Sequence, residues 1–339
     1  MSAKIPHSAP TLGAEEAEAA SRIIASGRVA QGAETEAFEK ECAEFVGRGY
    51  GGAVSSGTAA LHLALKVAGM GEGKYVAIPS YACAALVTAT HMAGARAALC
   101  DCAADFNVPK RKYPQDADAA IVAHLFGKTA DFPDAGCIVE DIAQSIGGGT
   151  GRTGKTTICS FYATKLMTTG EGGVVLTDDV GVAEELRDMR DYDNRDVYQQ
   201  RFAYKMTDLQ AAIGRVQLRR LPGFIARRRE IAERYALELA GLPIELPDLE
   251  NHVCFRYVIR TDHREALAKA LARDGIDAKR PVYRPAHQYF DQGDPRVSLA
   301  ASYPHADDTH ARALSLPIYP SLLDSDVDTI INSIKSYFR

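Results

Sequence analysis

The sequence predicts an α/β protein: a mostly parallel central sheet flanked by helices, followed by a smaller α+β unit. Three observations point there. From about residue 14 to 220, short apolar runs alternate with helical patterns, the order expected of βαβ units. Several of those runs, such as Ala119-Ala-Ile-Val-Ala123, are apolar throughout, which suits strands covered on both faces. After about residue 224 the alternation gives way to a mixed pattern. With 339 residues, 46% of them hydrophobic, the chain has material for about two domains. The expected division is 1–223 for the large unit and 224–339 for the small one.

Taken in order, Ala14–Ser26 and Glu34–Val46 carry apolar residues at helical spacing. Tyr50–Val54 is a strand candidate, and Ser55-Ser56-Gly57-Thr58 opens a helix over Ala59–Ala68. Tyr75–Ile78 is a strand, with Pro79-Ser80-Tyr81 leading into a helix that ends near Ala93. Arg96–Leu99, Ala119–Ala123, Cys137–Val139, Thr157–Phe161 and Gly173–Leu176 are further strands. Met206–Leu221 is a long amphipathic helix with Leu209, Ile213, Val216 and Leu218 among its apolar positions, and Pro222-Gly223 is expected to break it. A helix follows, then a strand at Val253–Ile259 and a helix at Arg264–Arg273. A loop rich in Pro and aromatics spans Arg280–Pro304, and a last helix covers Ser325–Tyr337.

Composition narrows the function classes. The formal net charge is −5, so no electrostatic signature of nucleic acid or anionic membrane binding is present. The one basic run, Arg227-Arg228-Arg229, is followed by Glu230 and reads as a solvated helix face. The seven cysteines (Cys42, Cys83, Cys100, Cys102, Cys137, Cys159 and Cys254) are scattered, and Cys100/Cys102 lack the second pair of a zinc site. They read as small hydrophobes in a reducing compartment, and no metal is expected. Met1–Gly13 shows no charged region followed by an apolar stretch. No apolar run approaches the roughly 18 residues that span a bilayer. A cytoplasmic protein without membrane or nucleic-acid partners is the expectation.

The chemistry gathers around Lys165. It stands between the apolar run ending at Phe161 and the turn Thr168-Thr169-Gly170-Glu171-Gly172-Gly173. A lysine so presented can form a Schiff base and later move a proton. Asp141 closes the run Cys137-Ile-Val-Glu-Asp141, and ligands of open α/β sheets collect at the carboxyl ends of strands. An acid there can keep a pyridine nitrogen protonated, although an aspartate at a strand end is also a common helix or turn cap. Ser56-Gly57-Thr58 precedes a helix whose free amides and dipole favour an anion, with capping as the simpler role. Ser160 is a second candidate phosphate ligand, and Gln144 is placed to meet a ring oxygen or ring face. Together these residues suggest pyridoxal phosphate (PLP). A decoy sits nearby. Gly149-Thr-Gly-Arg-Thr-Gly154-Lys155-Thr156 fits the phosphate-loop pattern G-x-x-x-x-G-K-S/T, which would make the chain a nucleotide hydrolase. That pattern is informative only between a strand and a helix, and here a strand-like run follows it.

The order of motifs resembles the DegT/DnrJ/StrS family of sugar aminotransferases, of PLP fold type I. The resemblance begins at Ser26-Gly-Arg-Val-Ala-Gln-Gly32 and continues through Ser55-Ser-Gly-Thr-Ala-Ala-Leu-His-Leu-Ala-Leu65 and His124-Leu-Phe-Gly-Lys128. It then takes in Glu140-Asp-Ile-Ala-Gln-Ser145, Ser160 through Gly173, Met206-Thr-Asp-Leu-Gln-Ala-Ala-Ile-Gly214 and Ser315-Leu-Pro-Ile-Tyr-Pro320. The resemblance implies a homodimer with active sites at the subunit interface. It implies transfer of an amino group, usually from glutamate or glutamine, to a ketone on a nucleotide-linked sugar or related polar molecule. It assigns Lys165 to the cofactor imine, Asp141 to the pyridinium, Gln144 to the ring's neighbour, and Ser160, Gly57 and Thr58 to the phosphate, to which the turn's own chemistry adds Ser56. A deoxygenating branch of the family carries histidine at the lysine position, so Lys165 argues against that branch. Regulatory members that bind PLP with little turnover are the alternative. Two positions depart from the family pattern. Cys83 stands where an aromatic residue usually covers the cofactor ring, with Tyr81 two residues earlier. Ala203 stands where an asparagine usually reaches the partner's phosphate, leaving Arg201, Lys205 and Asn194 as substitutes. Substrate contacts are expected from Arg280–Gln292, where His287 and Tyr289 are candidates, although both also suit a packed surface loop.

Overall fold

The structure, a computed structural model, describes residues 4–193 and 195–339. Its first part runs α1 (Ala14–Ser26), α2 (Ala33–Val46), β1 (Tyr50–Val54), α3 (Gly57–Val67), β2 (Tyr75–Pro79), α4 (Ala85–Met92) and β3 (Arg96–Cys100). It continues with β4 (Ala119–Ala123), β5 (Ile138–Asp141), β6 (Thr156–Ser160), β7 (Gly173–Thr177) and α5 (Val180–Met189). The second part runs α6 (Asp208–Glu238), β8 (Tyr257–Arg260), α7 (Arg264–Arg273), β9 (Val297–Ser298), α8 (Pro304–Arg312), β10 (Ala313–Leu316) and α9 (Asp324–Tyr337).

Eight strands form one sheet in the order β1-β7-β6-β5-β4-β2-β3-β9. Only β7 runs against the rest, so the carboxyl ends of β1, β2, β4, β5 and β6 share one edge. The runs are apolar on both faces because both faces are covered. Val175 of β7 joins the cluster under α3 and α4, while Val174 and Leu176 join the cluster under α2 and α6. A two-stranded sheet of β8 and β10 packs with α7, α9 and the second half of α6 in a separate cluster. Ile5, near the amino terminus, is buried in that same cluster and bridges to Ile276.

Four expectations need correcting. Pro222 does not end its helix: α6 continues to Glu238, across the boundary expected at residue 223. A proline inside a helix costs about 3 kcal/mol, but Leu221, Phe224 and Ile225 are buried around it, and packing overrides propensity. The strand expected at Val253–Ile259 begins only at Tyr257. Residues 253–256 instead bond to another turn, Val253 N–H donating to Gly127 O (3.0 Å) and Arg256 N–H to Phe126 O (3.2 Å), with Cys254 at φ 56°. The Arg280–Pro304 segment is not wholly loop, since β9 inside it pairs with β3 as the eighth strand of the large sheet. Finally, Arg228 is not on a solvated face. It is buried, with Nη1 donating to Ile318 O (2.7 Å) and Phe255 O (3.2 Å).

Candidate active site

A cavity of about 530 Å³ opens at the shared carboxyl edge of the sheet. Ser56, Gly57, Thr58, Cys83, Asp141, Gln144, Ser160 and Lys165 all line it. The sequence separates these residues by up to 109 positions, and the topology brings them together.

One part of the wall is the start of α3. Ser56 caps the helix, its Oγ accepting from Ala59 N–H at 3.1 Å, and the amides of the first turn have no partner within the helix. Glycine is required here by close approach. A Cβ on Gly57 would sit 2.6 Å from Ser160 Cβ, and one on Gly173 would sit 2.5 Å from Ser56 O. The two glycines therefore let β6, β7 and the helix start converge. Amides at a helix N-terminus beside two hydroxyls form an anion cradle.

Asp141 ends β5 with its carboxyl buried, accepting from Ala143 N–H at 2.9 Å. Burial raises its pKa, opposed by the charge of Lys165, the Ala143 amide and His124. Lys165 sits in the turn after β6, which is held by Lys165 N–H to Tyr162 O (2.9 Å) and Thr169 N–H to Phe161 O (3.0 Å). Its Nζ lies 5.6 Å from the centre of the Phe255 ring. Among the described residues no carboxylate is within ion-pair distance of that amine. Gln144 also faces the cavity, with Oε1 accepting from Phe126 N–H at 2.7 Å. That bond and the one from Arg256 N–H hold Phe126 at φ 59°.

The segment that imitates a phosphate loop has another use. No helix follows it; β6 does. The amides of Gly151 (2.6 Å), Thr153 (2.9 Å) and Gly154 (3.0 Å) all donate to the buried carboxylate of Glu140. His124 Nε2 donates to the same group at 3.0 Å, its Nδ1 being occupied as acceptor of Ala130 N–H. Burial alone would raise the Glu140 pKa, but these donors drive it down to about 2. The loop is a cradle whose anion is a side chain of its own sheet.

The departures from the family pattern resolve differently. Cys83 lines the cavity and is exposed. Tyr81 does not reach it, being fully buried against Phe106 and Phe126. Ala203 is exposed. Arg201 pairs with Asp188 (2.9 Å), and Lys205 with Asp191 (2.8 Å) and Asp193 (3.1 Å). Asn194 lies outside the described residues. Tyr289 lines the cavity, but His287 is tied up beside it: Nδ1 meets Ser80 Oγ at 2.6 Å and Nε2 meets Asp307 Oδ1 at 3.0 Å. Glu171, from the glycine-rich turn, and Tyr283, from the expected substrate loop, also line the cavity, as do Phe255 and Arg256, which nothing in the sequence marks. Arg256 is a single cation in an ordinary apolar run. Among the described residues, no helix is long and apolar enough to cross a membrane.

An acid and an amine facing one cavity at the carboxyl edge of a mostly parallel sheet define the class of fold type I PLP enzymes. The residues fit that cofactor: an anion cradle with no room for a side chain at Gly57, a buried acid with little hydrogen bonding, and an amine without an acid partner. The chain belongs to the DegT/DnrJ/EryC1/StrS aminotransferase family, which it matches over residues 10–335, and it is a PLP-dependent aminotransferase. It is similar to the aminotransferase TlmJ from Streptoalloteichus hindustanus over 98% of both chains (29% identity, TM-score 0.88). It is also similar to DesV from S. venezuelae, solved in complex with a ketimine intermediate, over 96% of this chain and 94% of that one (30% identity, TM-score 0.87). A third similar structure is a DegT DnrJ EryC1 StrS aminotransferase from Brucella abortus, with 96% and 95% covered (26% identity, TM-score 0.87).

Proposed function

We propose that the protein transfers an amino group from glutamate or glutamine to a keto-sugar, often nucleotide-linked, or to a related polar ketone. The observation that carries the reading is the presence of Lys165 and buried Asp141 in one cavity beside an anion cradle. When bound, PLP supplies a carbonyl that exchanges amines and a ring that accepts electrons. In this reading Lys165 holds the cofactor and then moves a proton between the two reacting carbons. The Asp141 carboxylate keeps a proton on the ring nitrogen. The amides of Gly57 and Thr58, with the hydroxyls of Ser56 and Ser160, bind the phosphate. Gln144 orients the ring, and Leu125, Ile158 and Val282 keep water from it. Cys83 supplies a small thiol on the cavity wall where the family pattern places a flat ring.

A homodimer belongs to the same reading. The segment between α5 and α6 exposes Tyr192, Val197 and Tyr198, apolar surface suited to a partner. The test is optical. The protein with PLP is expected to develop a visible absorption band that glutamate bleaches. Lys165→Ala is expected to lose the band and at least about 10³-fold in turnover. A normal band in Lys165→Ala overturns the lysine assignment. A wild-type band that no amino donor bleaches favours the regulatory alternative.

A further inference from the structure

Most arginines of this protein are answered by acids or carbonyls. Arg190 meets Glu39, Arg215 meets Glu34 and Glu41, Arg220 meets Glu16, and buried Arg228 donates to two carbonyls. Arg256 differs. Among the described residues no carboxylate lies within ion-pair distance of its guanidinium, and the guanidinium donates no hydrogen bond. It is half-buried, and that desolvation pushes its pKa down to about 10, so it keeps its charge at neutral pH. Its neighbour Arg228 is a buried cation rather than a counter-ion. Partly desolvating a charge that has no partner is costly, and a guanidinium left so on a cavity wall is placed to meet an anion.

The position says which anion. Arg256 lines the cavity, and its guanidinium carbon lies 4.6 Å from the centre of the Phe255 ring. Lys165 Nζ approaches that same ring at 5.6 Å. The Arg256 backbone is bonded to Phe126, whose amide is held by Gln144, so the cation stands on the Gln144 wall of the cavity. A guanidinium stacked on a ring keeps its planar fork free, and that fork matches a carboxylate bidentately. In an α-amino acid the carboxylate is one carbon from the amine that must reach the group held by Lys165.

We infer that Arg256 receives the α-carboxylate of the amino donor and so selects an amino acid over a simple amine for the first half of the reaction. The inference rests on the aminotransferase reading above, and its test separates the two. PLP-saturated protein is titrated calorimetrically with glutarate, a dicarboxylate that has no amine to transfer. Arg256→Gln is expected to weaken glutarate about 10- to 100-fold, the range of a charge-assisted pair, and Arg256→Lys to restore part of it. In single-turnover bleaching of the visible band, Arg256→Gln is expected to lower the efficiency of L-glutamate by the same factor and to leave that of ethanolamine unchanged. Equal glutarate affinities in wild type and Arg256→Gln overturn the inference, as does a parallel loss with both amines or a loss confined to the ketone half-reaction. If the wild type forms no visible band while glutarate binding still depends on Arg256, the reading of the reaction fails and the carboxylate site stands.

Discussion

Glu140 and Asp141 are consecutive residues of β5, and the pleat sends their side chains to opposite faces of the sheet. Both are buried. Glu140 takes hydrogen bonds from three backbone amides and from His124, and its pKa falls to about 2. Asp141 takes one backbone amide, and burial raises its pKa. One acid is fully satisfied by its own chain and braces a loop. The other is left with unmet capacity facing a cavity, which is the condition for meeting a cation from outside. Sequence adjacency and residue type do not separate them; the supply of donors does.

The sharpest test of that contrast is Asp141→Asn. Turnover is expected to fall at least about 10³-fold, as for loss of a pre-organised electrostatic partner, while the fold persists. The protein without PLP should become more stable. A raised pKa means the folded state favours the protonated acid, so the ionised form destabilises it at neutral pH. The neutral amide should therefore add about 1 kcal/mol at pH 7, read as a higher melting temperature. That gain should shrink as the pH falls from the raised value towards the ordinary carboxyl value of 3.8, and be gone below it. Unchanged turnover in Asp141→Asn would refute the role proposed for this acid.

Glu140→Gln should do the opposite. Replacing a carboxylate that four donors share leaves buried N–H groups unmet, at about 3 kcal/mol. Turnover per folded molecule should stay close to wild type. The pH dependence carries its own sign: a depressed pKa stabilises above the ordinary 4.5 and loses that contribution as the pH falls towards about 2. The wild type should thus lose stability across that interval, and Glu140→Gln should show a flatter acid limb in melting experiments. A large fall in turnover with an unchanged melting temperature would place Glu140 in the chemistry instead.

Much of this was legible in the chain. The apolar runs gave seven of the strands because burial on both faces leaves a simple signature. Lys165, Asp141 and the Ser56–Thr58 turn were legible because each chemistry requires a rare residue at a strand or helix end. Arg256 was not, since one cation in an apolar stretch looks like any snorkelling side chain. Pro222 misled because tertiary packing on both sides of it outweighs its local preference. Two-residue β9 was invisible because its pairing with β3 is set by the tertiary path of a long loop.

The smallest expected effect is the one that closes the phosphate-loop reading. In a true phosphate loop the lysine reaches the nucleotide and the preceding amides surround its phosphates. Here those amides already surround Glu140, and Lys155 is exposed. Lys155→Ala is therefore expected to change stability by less than about 0.5 kcal/mol, and to leave both the visible band and turnover as they are. ATP should not raise the melting temperature of either protein, because a ligand stabilises only a state that binds it. An ATP-dependent melting shift that disappears in Lys155→Ala would mean that the Glu140 cradle opens to exchange its side chain for a phosphate, and the contrast drawn between the two acids would fail at its better-satisfied member.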